Sequence, residues 1–535
     1  MSLKRENVVY GVLGLAASAA TLLAVVQLQR RKRSRAEDRR NLTDFGPSSE
    51  IYVRSRAQSD SDIEGEGDDD IPRIDSTNSL KSAAMPGPGG ITHPEGPNIG
   101  PGSTDNWFQK ESDLPPKTDL LHKGHSKGGK LIVVMVGLPG RGKTYIARKV
   151  ARYLRWINYR TRAFSLARYR MERVGTRQTA DFFDNEDAEK VSMRLDLVST
   201  AMEDIMQYLS RSGEVAILDG TNFTKTRREL IRTRAAQEDG FEVLWVESIC
   251  EDPGVVMRHV QEMQDSSPDF VDPEDFKRRV EHYHKAYETL EPSEGSYVKV
   301  YDAGHRIEIH AAQGFVPTKI TSFLMNLHVT VRPIYISRHG ESMFNLQGLI
   351  GGDPGLSPLG MKYSHVLSEF VHQCEELPQD RLCVWSSTMR RARQTAKRVG
   401  TKVYVEWRAL REIEVGVCDG MTYAQVKENF PEEYAARELD KLRYRYPRGE
   451  SYLDIIARLE PVIFEMERQK APLLIIAHQA VLRCLYAYFL DLPSEEIPYL
   501  SIPLHTVIKL TPQAFGCSEK RFRLLEDKPD GQKHM

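Results

Sequence analysis

The sequence is short of three things. Its six cysteines (Cys250, Cys374, Cys383, Cys418, Cys484 and Cys517) are scattered through 535 residues with no CxxC pair and no close cluster. That argues against a disulfide framework or a cysteine zinc site and fits a reduced, cytosol-facing protein with buried structural thiols. Charge of either sign is not in excess: Lys+Arg of 74 against Asp+Glu of 75 leaves a net charge of -1. No global field favours nucleic acid, so no nucleic-acid partner is expected and any anion site must be a local cluster of cations. Apolar periodicity is nearly absent from 41 to 130, where acidic residues crowd 64–70 and Pro and Gly crowd 86–102. Such a stretch cannot bury enough apolar surface to offset its ordering entropy, and 30–129 is expected to be a disordered tether. Within it Arg56-Ala57-Gln58-Ser59 has the form of a basophilic phosphorylation site, with a solvated charge run as the preferred alternative.

What is present begins at the N-terminus. After six residues, 7–29 carries about 23 residues without formal charge, long enough to span a bilayer. Arg30-Arg31-Lys32-Arg33 follows, which under the positive-inside rule holds the rest of the chain in the cytosol. A signal anchor is the preferred reading, ahead of a cleaved presequence and an interfacial or soluble segment. The mitochondrial outer membrane and the endoplasmic reticulum fit equally, and removal of the segment would leave a soluble cytosolic protein.

Order begins at Lys130. The apolar run 131–136 reads as a strand buried on both faces of a parallel sheet. It enters Gly137-Leu138-Pro139-Gly140-Arg141-Gly142-Lys143-Thr144, which fits GxxxxGK[ST], and Tyr145 continues into a helix. The glycines let backbone N–H groups wrap phosphates, Lys143 reaches the β/γ oxygens, and the Thr144 hydroxyl suits Mg²⁺. A second strand, 215–218, ends in Asp219, a carboxylate able to hold Mg²⁺ opposite the loop. Thr221, Asn222, Thr224, Arg227 and Arg228 follow as a polar, cationic group suited to a phosphorylated substrate.

A short apolar run, 333–336, then ends in Ser337-Arg338-His339-Gly340-Glu341-Ser342, with Asn345 close behind. An imidazole beside a guanidinium at a strand end is placed to take a phosphoryl group, one as nucleophile and the other neutralising phosphate oxygens. The run 473–477 repeats the design and delivers His478. Between the two lie a strand at 382–385 and a helix carrying Arg390, Arg391 and Arg393. With no long linker between the halves, two folded units at 130–330 and 331–517 are expected to abut, followed by a tail at 518–535.

These residues, with Glu247-Ser248-Ile249-Cys250, Ser267-Pro268-Asp269-Phe270, the run from Tyr444 to Tyr452, and Pro503-Leu504-His505-Thr506, make the chain closely resemble the bifunctional 6-phosphofructo-2-kinase/fructose-2,6-bisphosphatase family over about 130–517. The resemblance implies an α/β protein: a P-loop NTPase-like kinase domain followed by a histidine-phosphatase, phosphoglycerate-mutase-like α/β domain. It implies that fructose 2,6-bisphosphate is hydrolysed to fructose 6-phosphate, His339 becoming a phosphohistidine. Arg338, Asn345, Arg391 and His478 would hold the phosphoryl oxygens, and Glu412, kept protonated, would protonate the leaving oxygen. Gly351, Tyr423, Arg437, Lys441, Tyr452, Gln479 and Arg483 would grip the rest of the sugar bisphosphate without a cofactor. In the kinase half, ATP with Mg²⁺ would bind from Gly137 to Tyr145 and at Asp219, and Arg170, Arg194, Thr221, Arg279 and Tyr283 would hold fructose 6-phosphate. A homodimer is expected.

The chain departs from the family's pattern at Met171, Phe223 and Gln264, where two cations and a hydroxyl are expected, and at Gln347 and Leu349, where relatives often carry arginines. Each lost charged hydrogen bond is worth about 1.5–3 kcal/mol, so a kinase weaker than the phosphatase is expected. Two alternatives stay open: a histidine phosphatase acting on another phosphate ester, and a membrane-tethered nucleotide sensor.

Overall fold

The computed structural model describes residues 129–266, 269–328, 332–513 and 516–525. The expected anchor at 7–29 and nearly all of the tether lie outside the described residues, as do Ser267 and Pro268. Among the described residues no helix is long and apolar enough to cross a membrane.

Among the described residues two six-stranded sheets carry the architecture. The first is built from β1 (Lys130–Val136), β2 (Thr161–Ser165), β3 (Val215–Asp219), β4 (Phe241–Ile249), β5 (Tyr297–Tyr301) and β6 (Arg306–His310), in the order β2-β3-β1-β4-β5-β6. All neighbours are parallel except the β5–β6 pair. Its helices are α1 (Lys143–Trp156), α2 (Leu166–Val174), α3 (Ala188–Arg211), α4 (Lys225–Ala235), α5 (Pro253–Ser266), α6 (Pro273–Lys285) and α7 (Phe315–Leu324). The apolar run of β1 is buried throughout because β3 and β4 flank it and helices cover both faces, the arrangement its continuous hydrophobicity predicts.

The second sheet comprises β7 (Ile334–Arg338), β8 (Cys383–Ser387), β9 (Val403–Trp407), β10 (Leu473–Ala477), β11 (Thr506–Gln513) and β12 (Gly516–Arg523), in the order β12-β11-β7-β10-β8-β9. Its helices are α8 (Met343–Gln347), α9 (Pro358–Gln373), α10 (Arg390–Ala396), α11 (Tyr423–Asn429), α12 (Pro431–Leu439), α13 (Tyr452–Arg468) and α14 (Gln479–Leu490). The parallel β7–β10 register sets Ala477 opposite Arg338, and the His339 N–H donates to the Ala477 carbonyl at 3.0 Å. One residue further on, both strands release a histidine at the same edge. The boundary drawn at 517 is corrected here: β12 pairs along β11 from Gly516 to Arg523, so 518–523 is strand and not tail.

The halves abut as expected, and they share a core. Ile146, Val150 and Leu154 of α1, and Phe323 of α7, belong to one buried cluster with Val462 and Ile463 of α13 and Leu485 and Phe489 of α14. Tyr153 stacks on Phe323 at 4.5 Å between centroids, and both rings tilt against Phe464.

Candidate active sites

The P-loop forms because its glycines occupy backbone conformations that other residues rarely adopt. Gly137 has φ of 135°, and a Cβ there would lie 2.5 Å from the Ser248 carbonyl. Gly142, in the left-handed region, caps α1 without a side-chain acceptor, which leaves the first N–H groups of the helix directed at the loop's concavity. Lys143 donates to the Leu138 carbonyl at 2.5 Å, and burial lowers its pKa to about 7 although Asp219 opposes the shift. The Thr144 hydroxyl donates to Asp219 Oδ2 at 2.9 Å, while burial pushes the Asp219 carboxyl up. These two hard oxygen donors at the mouth of the loop suit Mg²⁺. Tyr145 turns elsewhere: its hydroxyl donates to the His328 carbonyl at 2.9 Å, near the junction between the halves.

Beside the loop, Phe182, Phe183, Phe223 and Tyr283 pack together with Leu138 at their edge. The expected cations surround this cluster. Arg170 and Arg279 share Asp269 Oδ2 at 2.5 and 3.2 Å and sit over the Phe183 ring at 5.0 and 3.7 Å. Arg194 donates to the carbonyls of Phe182 and Asp184 and to the Asn185 side chain. Phe223, where a hydroxyl was expected, is buried edge-on against Tyr283 at 4.7 Å, so packing replaces a polar contact. Gln264 lies at an exposed position of α5.

The sequence treats Arg227 and Arg228 alike, but the structure separates them. Arg228 is held by Glu294 at 2.5 and 3.0 Å. Arg227 is buried, pairs with no carboxylate among the described residues, and reaches Thr221 Oγ1 at 3.4 Å; burial lowers its pKa to about 10. A buried cation with no carboxylate among the described residues, on the first turn of α4, is a stronger candidate for a phosphorylated substrate than Arg228, with which the sequence grouped it.

The second site is a pocket at the edge where β7 and β10 release their histidines. Arg338, His339, Asn345, Gly351, Arg391, Glu412, Tyr423, Arg437, Lys441, Tyr452, Gln479 and Arg483 all line it. His478 is fully buried behind it, its ring centroid 5.0 Å from that of His339. His339 has a defined tautomer: Arg391 Nε donates to Nε2 at 3.0 Å, so Nδ1 carries the proton and donates to the Gly340 carbonyl at 2.7 Å. Burial, with Arg391 and Arg338 close by, holds the His339 pKa well below its usual value. The same causes lower that of His478, whose two ring nitrogens have no hydrogen-bond partner among the described residues. Two buried guanidiniums, Arg338 and Arg391, beside two buried neutral imidazoles give the cavity a character suited to an anion.

Neighbours aim these groups. Ser342 caps α8, and its N–H and Oγ both donate to Asn345 Oδ1, which turns the amide nitrogen outward. Gly351, at φ of 77°, accommodates Asp419, whose carboxylate would lie 1.9 Å from a Cβ. Glu412 Oε1 accepts from the N–H groups of Ile413 and Ala480 at 3.0 and 3.2 Å. Arg437 donates to the hydroxyls of Tyr446 and Tyr423 at 2.8 and 3.1 Å, and Arg483 to Tyr452 at 3.1 Å. Leu349 forms part of the wall. Ser342, Tyr444 and Tyr446 also line the pocket without having been selected; the Ser342-to-Asn345 spacing of a capping box was the available signal for the first.

A P-loop kinase fold and a histidine phosphatase fold, each with a phosphate-binding edge, make this a chain with two phosphoryl-transfer units. Residues 119–331 match the family model of 6-phosphofructo-2-kinase, and 334–524 that of the histidine phosphatase superfamily, branch 1. The chain is 48% identical over 396 residues to a 6-phosphofructo-2-kinase/fructose-2,6-bisphosphatase of Gallus gallus, covering 72% of this chain and 83% of that relative. It is 47% identical over 396 residues to 6-phosphofructo-2-kinase/fructose-2,6-bisphosphatase 1 of Homo sapiens, with the same coverage. An Arabidopsis thaliana relative of the same description is 44% identical over 415 residues, covering 75% of this chain and 55% of the relative. The chain belongs to the bifunctional 6-phosphofructo-2-kinase/fructose-2,6-bisphosphatase family.

Proposed function

We propose that this enzyme hydrolyses fructose 2,6-bisphosphate at the histidine pocket and makes it from ATP and fructose 6-phosphate at the P-loop, the hydrolysis being the stronger activity. The observation that carries the first half is the His339 tautomer, which puts an unprotonated Nε2 among cations. Nε2 attacks the 2-phosphorus and the bond from phosphorus to the sugar oxygen breaks. Glu412 gives that oxygen its proton. Arg338, Arg391, Asn345 and His478 hold the three phosphoryl oxygens as charge moves onto them. Water then attacks the phosphohistidine, Glu412 takes its proton, the P–N bond breaks and phosphate leaves. Arg437, Lys441 and Arg483 hold the 6-phosphate.

At the P-loop, Lys143 and the N–H groups of the loop bind the ATP phosphates. Arg170, Arg194, Arg279 and Arg227 orient fructose 6-phosphate, with Thr221 and Tyr283, so that its 2-hydroxyl faces the γ-phosphorus. Mg²⁺, held through Thr144 Oγ1 and Asp219, would neutralise charge between the β- and γ-phosphates. A kinase below the phosphatase in rate is supported by Phe223 buried in packing and Gln264 in place of a cation. The apolar segment 7–29 supports a membrane anchor with both catalytic units facing the cytosol. The outer position of β6 in the first sheet, which leaves one edge of that strand unpaired among the described residues, supports a homodimer through that edge.

The test is both activities assayed on one preparation lacking residues before Lys130, with a panel of other phosphate esters. Fructose 2,6-bisphosphate should be the preferred ester, with hydrolysis abolished in His339→Ala. ATP-dependent synthesis should be measurable but slower, and lost in Lys143→Ala. Synthesis as fast as hydrolysis refutes the bias, and preference for another ester refutes the substrate.

A further inference from the structure

Two cations of the phosphatase pocket, Arg437 and Lys441, already hold an anion. Arg437 Nη1 donates to Glu438 Oε1 at 2.9 Å, and the same oxygen lies 3.3 Å from Lys441 Nζ. Arg437 Nε and Nη2 donate to Tyr446 and Tyr423, and Nη1 is the nitrogen it turns to a carboxylate. Lys441 has the Tyr499 ring 5.3 Å away, and Glu438 is its acidic partner. The two cations are built into the wall, with side chains 10% and 9% exposed. Glu438 is not: its side chain is 35% exposed, on the last turn of α12, with solvent open to it.

An incoming phosphoryl group that pairs with Arg437 and Lys441 must take the place of this single carboxylate oxygen. A phosphoryl dianion, with three acceptor oxygens, displaces a carboxylate monoanion from a two-cation clamp. A neutral sugar hydroxyl does not. The same competition runs in reverse after chemistry, because the product of 2-phosphate removal leaves with its other phosphoryl group still in the clamp.

We propose that Glu438 is a competing carboxylate that guards the distal clamp, selecting esters with a second phosphoryl group and speeding release of the monophosphorylated product. This rests on the reading that Arg437 and Lys441 hold the 6-phosphate of fructose 2,6-bisphosphate. Glu438 acts through those two cations and is a positioning residue.

The experiment compares the full chain with its Glu438→Gln and Glu438→Asp variants, measuring KM and kcat for fructose 2,6-bisphosphate and the inhibition constant of fructose 6-phosphate. In Glu438→Gln the KM and the inhibition constant should both fall by about three- to tenfold, the weight of one partly exposed ion pair, and kcat should fall with them as release slows. Glu438→Asp, which keeps the charge, should restore the values of the unmodified enzyme. A Glu438→Gln enzyme whose inhibition constant is unchanged or raised overturns the proposal, since a carboxylate that merely braced the clamp would weaken binding when lost. If the unmodified chain does not hydrolyse fructose 2,6-bisphosphate at all, the reading of the pocket fails instead.

Discussion

Removing the Glu467 carboxylate should do more damage than any surface change of equal size. Glu467, on α13, is 1% exposed and receives Lys149 Nζ at 2.5 Å and Arg152 Nη2 at 3.1 Å, both from α1. The Tyr488 hydroxyl of α14 donates to it at 2.6 Å, and the Arg152 guanidinium lies 4.5 Å from that ring. Glu467→Ala leaves two buried cations facing each other, which costs about 3–5 kcal/mol. A second route gives a similar size. Burial alone would raise the Glu467 pKa, but Lys149 and Arg152 outweigh it and bring the value to about 2 from 4.5. That depression corresponds to about 3 kcal/mol. Because the folded-state pKa is depressed, the stabilisation is complete above the ordinary carboxylate value and is lost as pH falls from 4.5 towards 2. The assay is urea unfolding followed by tryptophan fluorescence, since Trp156 donates across the same junction to the Cys484 carbonyl at 2.9 Å. The variant should be less stable by the stated amount at pH 7, with about 2 kcal/mol of that difference gone by pH 3. A variant within about 1 kcal/mol of the parent at pH 7 refutes the claim that this carboxylate ties the halves together.

Two further outcomes follow from the histidine pair. Because burial and the flanking guanidiniums depress the His339 pKa, its nucleophilic form persists into acid; the acid limb of kcat/KM for hydrolysis should fall below pH 6.5, and an inflection above that value contradicts the tautomer argument. On the proposed mechanism His478→Ala removes a donor to the transferred phosphoryl group and should lower kcat by about 10²–10³, a loss below tenfold counting against that role. Arg227→Ala should raise the KM of the kinase for fructose 6-phosphate at least tenfold, about the worth of one charged hydrogen bond, while an unchanged KM would show that this buried cation faces something else.

Local chemistry was legible in the chain. The P-loop glycines, the strand ends at Asp219, His339 and His478, and the Ser342–Asn345 cap are set by residues within a few positions of one another, and the structure assembles them as the patterns imply. Partners far apart in sequence were not legible. Arg228 differs from Arg227 because Glu294, 66 positions away, claims it. The Glu467 junction joins residues 318 and 315 positions apart, and nothing near Lys149 or Arg152 signals it. The strand β12 escaped notice because it is an outer strand whose Gly516–Arg523 sequence alternates weakly and exposes polar side chains along its length. Tyr145 follows the P-loop directly, yet a carbonyl from the other end of the domain draws its hydroxyl away.

The central claim is that His339 takes the phosphoryl group itself. Fructose 2,6-bisphosphate labelled at the 2-phosphate, mixed with the enzyme and quenched within milliseconds in base, should leave label on the protein as a base-stable phosphohistidine. That label should map to His339, chase into phosphate on dilution, and be missing from His339→Ala. Undiminished hydrolysis in His339→Ala, or label on a different residue that turns over at the catalytic rate, would contradict the account.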